Sequence, residues 1–411
     1  MSGTLPDQNG PIMRSRRGLI AAICVGLGLT LAACGGGQLG NFGNFGNFGQ
    51  GGPSGPQLPP QAEAAIGTGE VRVALVLPLS AQGNAGVAAL SMKNAAEMAL
   101  AEFKNPNIQL LVKDDAGTPQ GAQAGAQQAL SEGAQIILGP LFAESVRAVA
   151  QVARPANVPL IAFSTDSSVA SHGVYLLSFL PETDVKRIVD FAASRGRRSF
   201  AALIPDNAYG AVVQAAFQQE VPRHRGRVVV LEKYPLDPGK LAEPVHAVAQ
   251  AASQVDSVFI PDGADAVPQV VAALAANHVN LKRLQLLGTG LWDDPRIFSS
   301  KELQGGWYAA PESTGFRNFS ARYRARFGQD PVRTATLAYD AVALVAALVK
   351  TQGPRPFTEQ ILTNSSGFAG IDGIFRFRPD GTNERGLAVL RVTPTGGQVV
   401  SPAPHSFGPG A

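Results

Sequence analysis

From residue 71 onward the chain alternates short β-branched runs with alanine-rich stretches of helical spacing, and this alternation limits the fold more than any other feature. The run Val71-Arg72-Val73-Ala74-Leu75-Val76-Leu77, closed by Pro78-Leu79-Ser80, reads as a buried strand. A strand covered on both faces is almost continuously apolar, because neither face meets water. Residues 86–104 then carry apolar positions at three- to four-residue spacing, Val87, Leu90, Ala95, Met98, Ala99 and Phe103, and read as a helix. The pattern repeats: a strand at 108–113 ends in Asp114-Asp115, a helix runs from Thr118 as N-cap to Gly133 as stop, and a strand at 136–138 leads through Gly139-Pro140 into a helix from Ala143. A fourth strand is expected at 158–162. Successive strand–helix–strand units imply a parallel, doubly wound sheet, since parallel strands need a crossover that a helix supplies.

The same rhythm resumes after residue 180. Strands are expected at 199–204, 227–231, 257–260 and 284–287, with helices near 182–195, 208–220, 240–253 and 264–277. Helices at 313–327 and 332–350 follow, then a strand pair near 371–377 and 387–393. About 330 residues of such pattern exceed what one hydrophobic core usually serves, so two lobes are expected. The fold class is therefore α/β, two doubly wound lobes with a cleft between them, lined by loops at the carboxyl ends of strands, where open sheets bind ligands.

Ahead of this body, residues 14–34 read RSRRGLIAAICVGLGLTLAAC. A basic patch precedes an apolar run too short for the roughly 20 residues of a membrane-spanning helix, which is the layout of a secretory signal. The break Leu31-Ala32-Ala33-Cys34-Gly35 resembles a bacterial lipobox. The resemblance implies a diacylglyceryl group on Cys34, cleavage before it, and attachment to a membrane on the periplasmic side. Met13 is an alternative start. Residues 34–69 are dominated by Gly, Pro, Asn and Gln and include three Asn-Phe-Gly repeats at 41–49. Such a segment buries too little apolar surface to repay its ordering entropy and reads as a disordered leash of roughly 30 Å reach.

Composition removes several functions. The whole chain has 34 basic and 31 acidic residues, near enough to balance to argue against a nucleic-acid partner. Both cysteines, Cys24 and Cys34, are used up by the signal and its lipid, so the mature protein has no disulfide and its core must hold it. His172, His224, His246, His278 and His405 fall in no metal-ligand spacing, and there is no nucleophile elbow, phosphate loop or metalloprotease motif. No catalytic residue, metal or cofactor is expected, and the chain reads as a non-enzyme.

Several landmarks together carry a family resemblance: 73–80 (VALVLPLS), Lys113-Asp114-Asp115, 137–141 (ILGPL), 158–164 (VPLIAFS) and Asn207-Ala208-Tyr209-Gly210. In this order they resemble the type I periplasmic binding proteins of the leucine/isoleucine/valine-binding family, over about residues 71–350. The resemblance implies crossings between lobes near 180, 310 and 360. Lobe I would hold 70–180 and 311–360, lobe II 181–310 and 361–400, and 401–411 would be a disordered tail.

A zwitterionic ligand needs hydroxyls and helix N-terminal N–H groups for its carboxylate and an acid for its ammonium. The resemblance assigns these roles to Ser80, Phe142 and Ser145 in the 139–145 loop, Ser164-Thr165-Asp166, Tyr209 and Asp262. The hydroxyl usual in the 139–145 loop falls on Ala143, and the usual ammonium acceptor falls near Gly290, with Asp262, Asp265 and Asp293 as substitutes. Asp114-Asp115 reads either as a ligand clamp or as a loop cap, and Trp292 as either a ligand-stacking ring or a plug. The expected activity is binding of a small polar solute, an amino acid or relative, for an ABC permease. The 75–80 segment and the lipid anchor also resemble penicillin-binding protein activators, lipoproteins of the same fold that touch a peptidoglycan synthase.

Overall fold

The computed structural model describes residues 65–408 apart from Leu236. The expected signal peptide, Cys34 and most of the leash lie outside the described residues. The first sheet has six strands in the order β1-β3-β2-β4-β5-β6. They are β1 (Ala65–Ile66), β2 (Val71–Leu77), β3 (Ile108–Asp114), β4 (Ile136–Leu138), β5 (Leu160–Ala162) and β6 (Val174–Leu176). All run parallel except the short β1, antiparallel on the edge of β3. Helices α1 (Asn84–Glu102), α2 (Pro119–Ser131) and α3 (Ala143–Ala153) supply the crossovers. The start of α2 is set by its sequence: the Thr118 hydroxyl accepts from the Gly121 N–H at 3.0 Å, and Pro119 occupies the first turn, where no N–H is needed.

After α4 (Pro181–Ser194) the second sheet builds from β7 (Ser199–Pro205), β8 (Arg227–Tyr234), β9 (Ser257–Phe259), β10 (Gln285–Gly288) and β11 (Trp307–Ala310). Helices α5 (Ala208–Arg223), α6 (Ala242–Ala251), α7 (Val267–Ala276) and α8 (Pro295–Ser299) connect them. The chain returns through α9 (Ser313–Phe327), α10 (Ala335–Thr351) and α11 (Glu359–Leu362) to a three-stranded antiparallel sheet, β12 (Phe368–Gly370), β13 (Gly373–Phe377) and β14 (Asn383–Arg385). It ends on β15 (Ala388–Thr393) and β16 (Gly396–Ser401), antiparallel strands that complete the seven-stranded second sheet in the order β16-β15-β11-β10-β9-β7-β8.

Alanine richness acquires a reason in the packing of α1 on α10. Ala88, Ala89, Ala96 and Ala99 of α1 share one buried cluster with Ala338, Ala341, Val342 and Val345 of α10. Small side chains let two helices approach closely and both lie against the sheet, and each fully buried Val or Leu there contributes roughly 1.5–3 kcal/mol.

Two boundaries differ from expectation. Residues 361–385, expected in lobe II, pack with lobe I: Phe375 and Phe377 alternate onto one face of β13 and join the lobe I core, with Tyr175 5.4 Å from Phe377. Two large rings at period two need a deep apolar surface, and Tyr175 and Leu177 offer one; the Leu176 N–H, donated to the Gly381 carbonyl, holds the turn after β13 against β6. The last crossing therefore falls at residues 386–387. Residues 402–407, expected to be disordered, are held: Ala403 donates its N–H to Glu312 at 3.1 Å and Arg376 lies over the Phe407 ring at 4.5 Å.

Candidate functional site

The loops after β2, β3 and β4 meet at one end of the first sheet. A methyl placed on Gly117 would stand 3.4 Å from Ala81 and 3.5 Å from the Phe142 ring, so three successive loops are in contact there. Asp114, at the end of β3, fastens the first two: its Oδ1 accepts from the N–H of Ser80 at 3.2 Å and of Ala116 at 2.9 Å. Asp115 is fully buried and accepts from the Gly117 N–H at 2.7 Å, while its Oδ2 has no partner among the described residues. Burial pushes its pKa up to about 7 against the pull of the Gly117 N–H, with the Asp114 charge adding to the rise. Both acids thus cap their loop, which is the plainer of the two readings of that pair.

After β5, Ser164 is buried and its hydroxyl accepts from the Asp166 N–H at 3.2 Å, while Asp166 accepts from Ser168 at 2.9 Å. Arg147 approaches Asp166 at 3.6 Å. Thr165 stands half-buried between them. Ser80 and Phe142 are also half-buried, at the strand ends where the resemblance puts them. Ser145 differs from these in burial. It is fully buried in the first turn of α3, its hydroxyl without a partner among the described residues, because it lies on the face of α3 turned to the sheet.

The second sheet carries a different arrangement. Tyr209, at the start of α5, has its hydroxyl 2.9 Å from the Thr289 hydroxyl at the end of β10. Tyr234, at the end of β8, donates to Asp262 at 2.5 Å, and Asp262 also accepts from the Gly263 N–H at 2.7 Å. Burial raises the Asp262 pKa, and the Tyr234 bond holds that rise back. Burial raises both tyrosines as well, so each remains a neutral hydroxyl.

Gly290, where the resemblance expects an acid, instead donates its N–H to Asp184 of α4 at 2.9 Å. Asp184 keeps part of its surface exposed while its carboxyl is enclosed; burial pushes its pKa up to about 7, the Gly290 N–H opposes this, and Glu182 adds to it. An acid from α4, 106 residues earlier in the chain, thus stands beside the position that lacks one. Sequence reasoning missed Asp184, Thr289 and Tyr234, because each reaches the set only through tertiary contact.

Other candidates fall elsewhere. Trp292 is fully buried in the lobe II core and donates its indole N–H to the Ile260 carbonyl at 3.1 Å, so it is core and not a stacking surface. Asp265 is exposed and paired with Arg296. Asp293 accepts from Tyr308 at 3.0 Å and lines a separate cavity of about 370 Å³ with Phe298, Phe316, Arg317 and Arg333. Arg333 and Arg385 both lie over the Phe179 ring, next to the first crossing, at 4.8 and 4.7 Å. Arg333 forks onto the buried Asp372; burial opposes that carboxylate's charge, yet Arg333 holds its pKa below the ordinary value.

One histidine departs from the sequence expectation. Donor atoms of Asp190, Glu220 and His224 lie within 4.8 Å of one another across α4 and the last turn of α5, a grouping invisible to linear spacing. The set is already engaged: Lys186 and His224 each reach Asp190 at 2.6 Å, and Arg223 reaches Glu220 at 2.6 Å.

Two sheets joined by several crossings, with polar groups gathered at strand ends, define a class of two-lobed receptor folds, and comparison gives it a family. Residues 70–398 match the sequence profile of the family described as periplasmic binding protein, and the chain belongs to that family. Among solved structures it is similar to a branched-chain amino acid ABC transporter periplasmic ligand-binding protein from Burkholderia xenovorans, at 18% identity and TM-score 0.66, covering 83% of this chain and 97% of that one. It is also similar to an ABC transporter solute-binding protein from Rhodopseudomonas palustris in complex with 3,4-dihydroxybenzoic acid, at 22% identity and TM-score 0.58, covering 82% and 97%. A segment of 129 residues, 31% of this chain, is 30% identical to the penicillin-binding protein activator LpoA of Pantoea ananatis. That match spans only 18% of the activator's length.

Proposed function

We propose that this protein is a lipid-anchored periplasmic receptor that closes its two lobes on a small polar solute, an amino acid or relative, and presents it to an ABC permease. The observation that carries the reading is the set at the lobe II strand ends. There Tyr209–Thr289, Tyr234–Asp262 and Asp184 beside Gly290 gather neutral hydroxyls and two carboxyl groups. In this reading Asp184 takes the part of the missing acid and receives an ammonium group, with Asp262 as the second acceptor. The ligand's carboxylate goes to lobe I, to the N–H groups of the 139–145 loop and to the hydroxyls of Ser80, Ser164 and Thr165. The ligands bound in similar structures support a small carboxylate: leucine in a Desulfitobacterium hafniense protein and 3,4-dihydroxybenzoic acid in the Rhodopseudomonas protein.

The test is a melting-temperature screen against amino acids and aromatic acids, with native mass spectrometry of the purified chain. A ligand that binds only the native state raises its melting temperature. A rise with an amino acid that disappears in D184N and in the S164A/T165A double variant is the expected result. A rise with benzoates alone, unchanged by D184N, would replace the amino-acid reading with an aromatic-acid one. Lipid attachment has its own test: C34S should release the chain into the soluble periplasmic fraction, and continued membrane retention would remove the anchor.

The activator match favours a second reading, a lipoprotein that regulates peptidoglycan synthesis by touching a synthase. It expects no ligand-dependent melting shift and retention by the periplasmic domain of a synthase in a pull-down.

A further inference from the structure

The chain does not end where the second sheet ends. After Ser401, the last residue of β16, the segment 402–408 runs back across the molecule and meets all three crossings in turn. Arg187 of α4, just past the first crossing, donates to the Ser401 hydroxyl at 2.7 Å and approaches the Pro402 carbonyl at 3.4 Å. The same guanidinium donates through Nε to the carbonyl of Leu387, in the third crossing, at 2.7 Å. Glu312, in the second crossing, accepts the N–H of Ala403 at 3.1 Å. Pro404 lies against Gly386, where an added methyl would come within 3.0 Å of its ring. The segment finishes on lobe I: Phe407 packs on Gly367, 2.8 Å from where a methyl would sit, and under the Arg376 guanidinium at 4.5 Å.

We infer that residues 402–408 form a strap that ties lobe II to lobe I across the hinge and limits how far the lobes separate. Its anchor on lobe II is covalent, through β16, and its anchor on lobe I is the ring of Phe407 between Gly367 and Arg376. Pro402 and Pro404 fix two of its φ angles, so the strap loses little conformational freedom when it docks. The contacts made through Arg187, Glu312 and Gly386 lie at the crossings or within a few residues of them, where a rotation of one lobe against the other must change the distances. Opening therefore stretches the strap or pulls Phe407 from its seat. Arg376 is itself held by Glu384 at 2.7 Å, so the seat does not yield with the ring. The strap's effect on affinity rests on the receptor reading above, because apparent affinity scales with the fraction of molecules in the binding-competent state. Its effect on lobe separation does not.

The experiment is therefore made without ligand. Spin labels go on A124C of α2 and A215C of α5, both exposed, in the full chain carrying C24S and C34S. Pulsed electron–electron distance measurement is expected to give one narrow distribution for the intact chain. A chain ending at Ser401 should give a longer and broader one, and F407A an intermediate one. The truncated chain's melting temperature is read alongside, to establish that both lobes remain folded. An unchanged distribution in the folded truncated chain overturns the strap. Should truncation prevent folding, F407A decides, since its side chain is only half-buried: an unchanged distribution there overturns it equally.

Discussion

The strand-end loops of the two lobes solve the same problem by different means. In lobe I the side chains bond to backbone: Asp114 to the amides of Ser80 and Ala116, Asp115 to Gly117, Ser164 to Asp166, and Asp166 to Ser168. In lobe II they bond mainly to one another, each pair reaching past one intervening strand, Tyr209 to Thr289 and Tyr234 to Asp262, with Asp184 reaching over to Gly290. The first kind of loop is a rigid turn that offers N–H groups whether or not anything is bound. The second is a cluster of long side chains whose partners are each other, so a ligand entering it must exchange bonds. Recognition that discriminates between ligands is thus expected from lobe II, and a preformed seat from lobe I.

Four measurements would break or sharpen this contrast. The largest effect is expected at Asp115, the buried acid of the turn after β3. Asp115 has a folded pKa of about 7 against an ordinary 3.8. A raised folded pKa contributes stability that is fully present below the unfolded value and lost as pH rises through the folded one. The wild type should therefore lose on the order of 2–3 kcal/mol between pH 5 and pH 8 that D115N does not lose. Urea unfolding at both pH values measures it, and parallel pH slopes in the two proteins would put that carboxyl in contact with water.

Next comes Y234F in lobe II, which removes the donor to Asp262 and leaves a part-buried carboxylate short of a partner. A loss of about 1–3 kcal/mol is expected, together with weaker binding of any ligand found in the screen. Stability lost with affinity intact would make the pair structural and remove the contrast between the lobes. S164A in lobe I should cost about 1 kcal/mol, the net worth of one bond to an amide. A cost equal to that of Y234F would show that the lobe I turns also depend on side-chain partners. Smallest is K186A, which breaks an exposed pair with Asp190 and should change stability by less than about 1 kcal/mol.

Much of the fold was legible because strands buried on both faces and helices of fixed period leave marks in any sequence. The β2 run, the Thr118 cap and the pairing of α9 with α10 all fall within a few residues of where periodicity puts them. Elements with weaker marks were not legible: β6, β11 and β16 are short or at sheet margins, and their burial comes from neighbours. The 371–377 strand was legible as a strand, but its lobe was not, since a run such as Gly373–Phe377 states that two rings need covering and not which core covers them.

The candidate site divides along the same line. Residues next to a landmark, Ser80, Phe142, Ser164, Thr165 and Tyr209, became candidates through the family resemblance those landmarks carry. Asp184 could not, because its relation to Gly290 exists only once α4 is laid against the end of β10.

By itself, then, the sequence determined the alternation of elements, the parallel sheets, the near-neutral charge that disfavours nucleic acid, and the lipobox-like stretch ending at Cys34. Those are properties of local period, composition and short motif. Tertiary structure alone decided that Ser145 and Trp292 face inward, that Asp184 accepts the Gly290 N–H, and that residues 402–407 are held against Glu312 and Arg376. Each of these depends on which distant surface covers a residue, and burial of that kind is a sum over the whole chain that no local window contains.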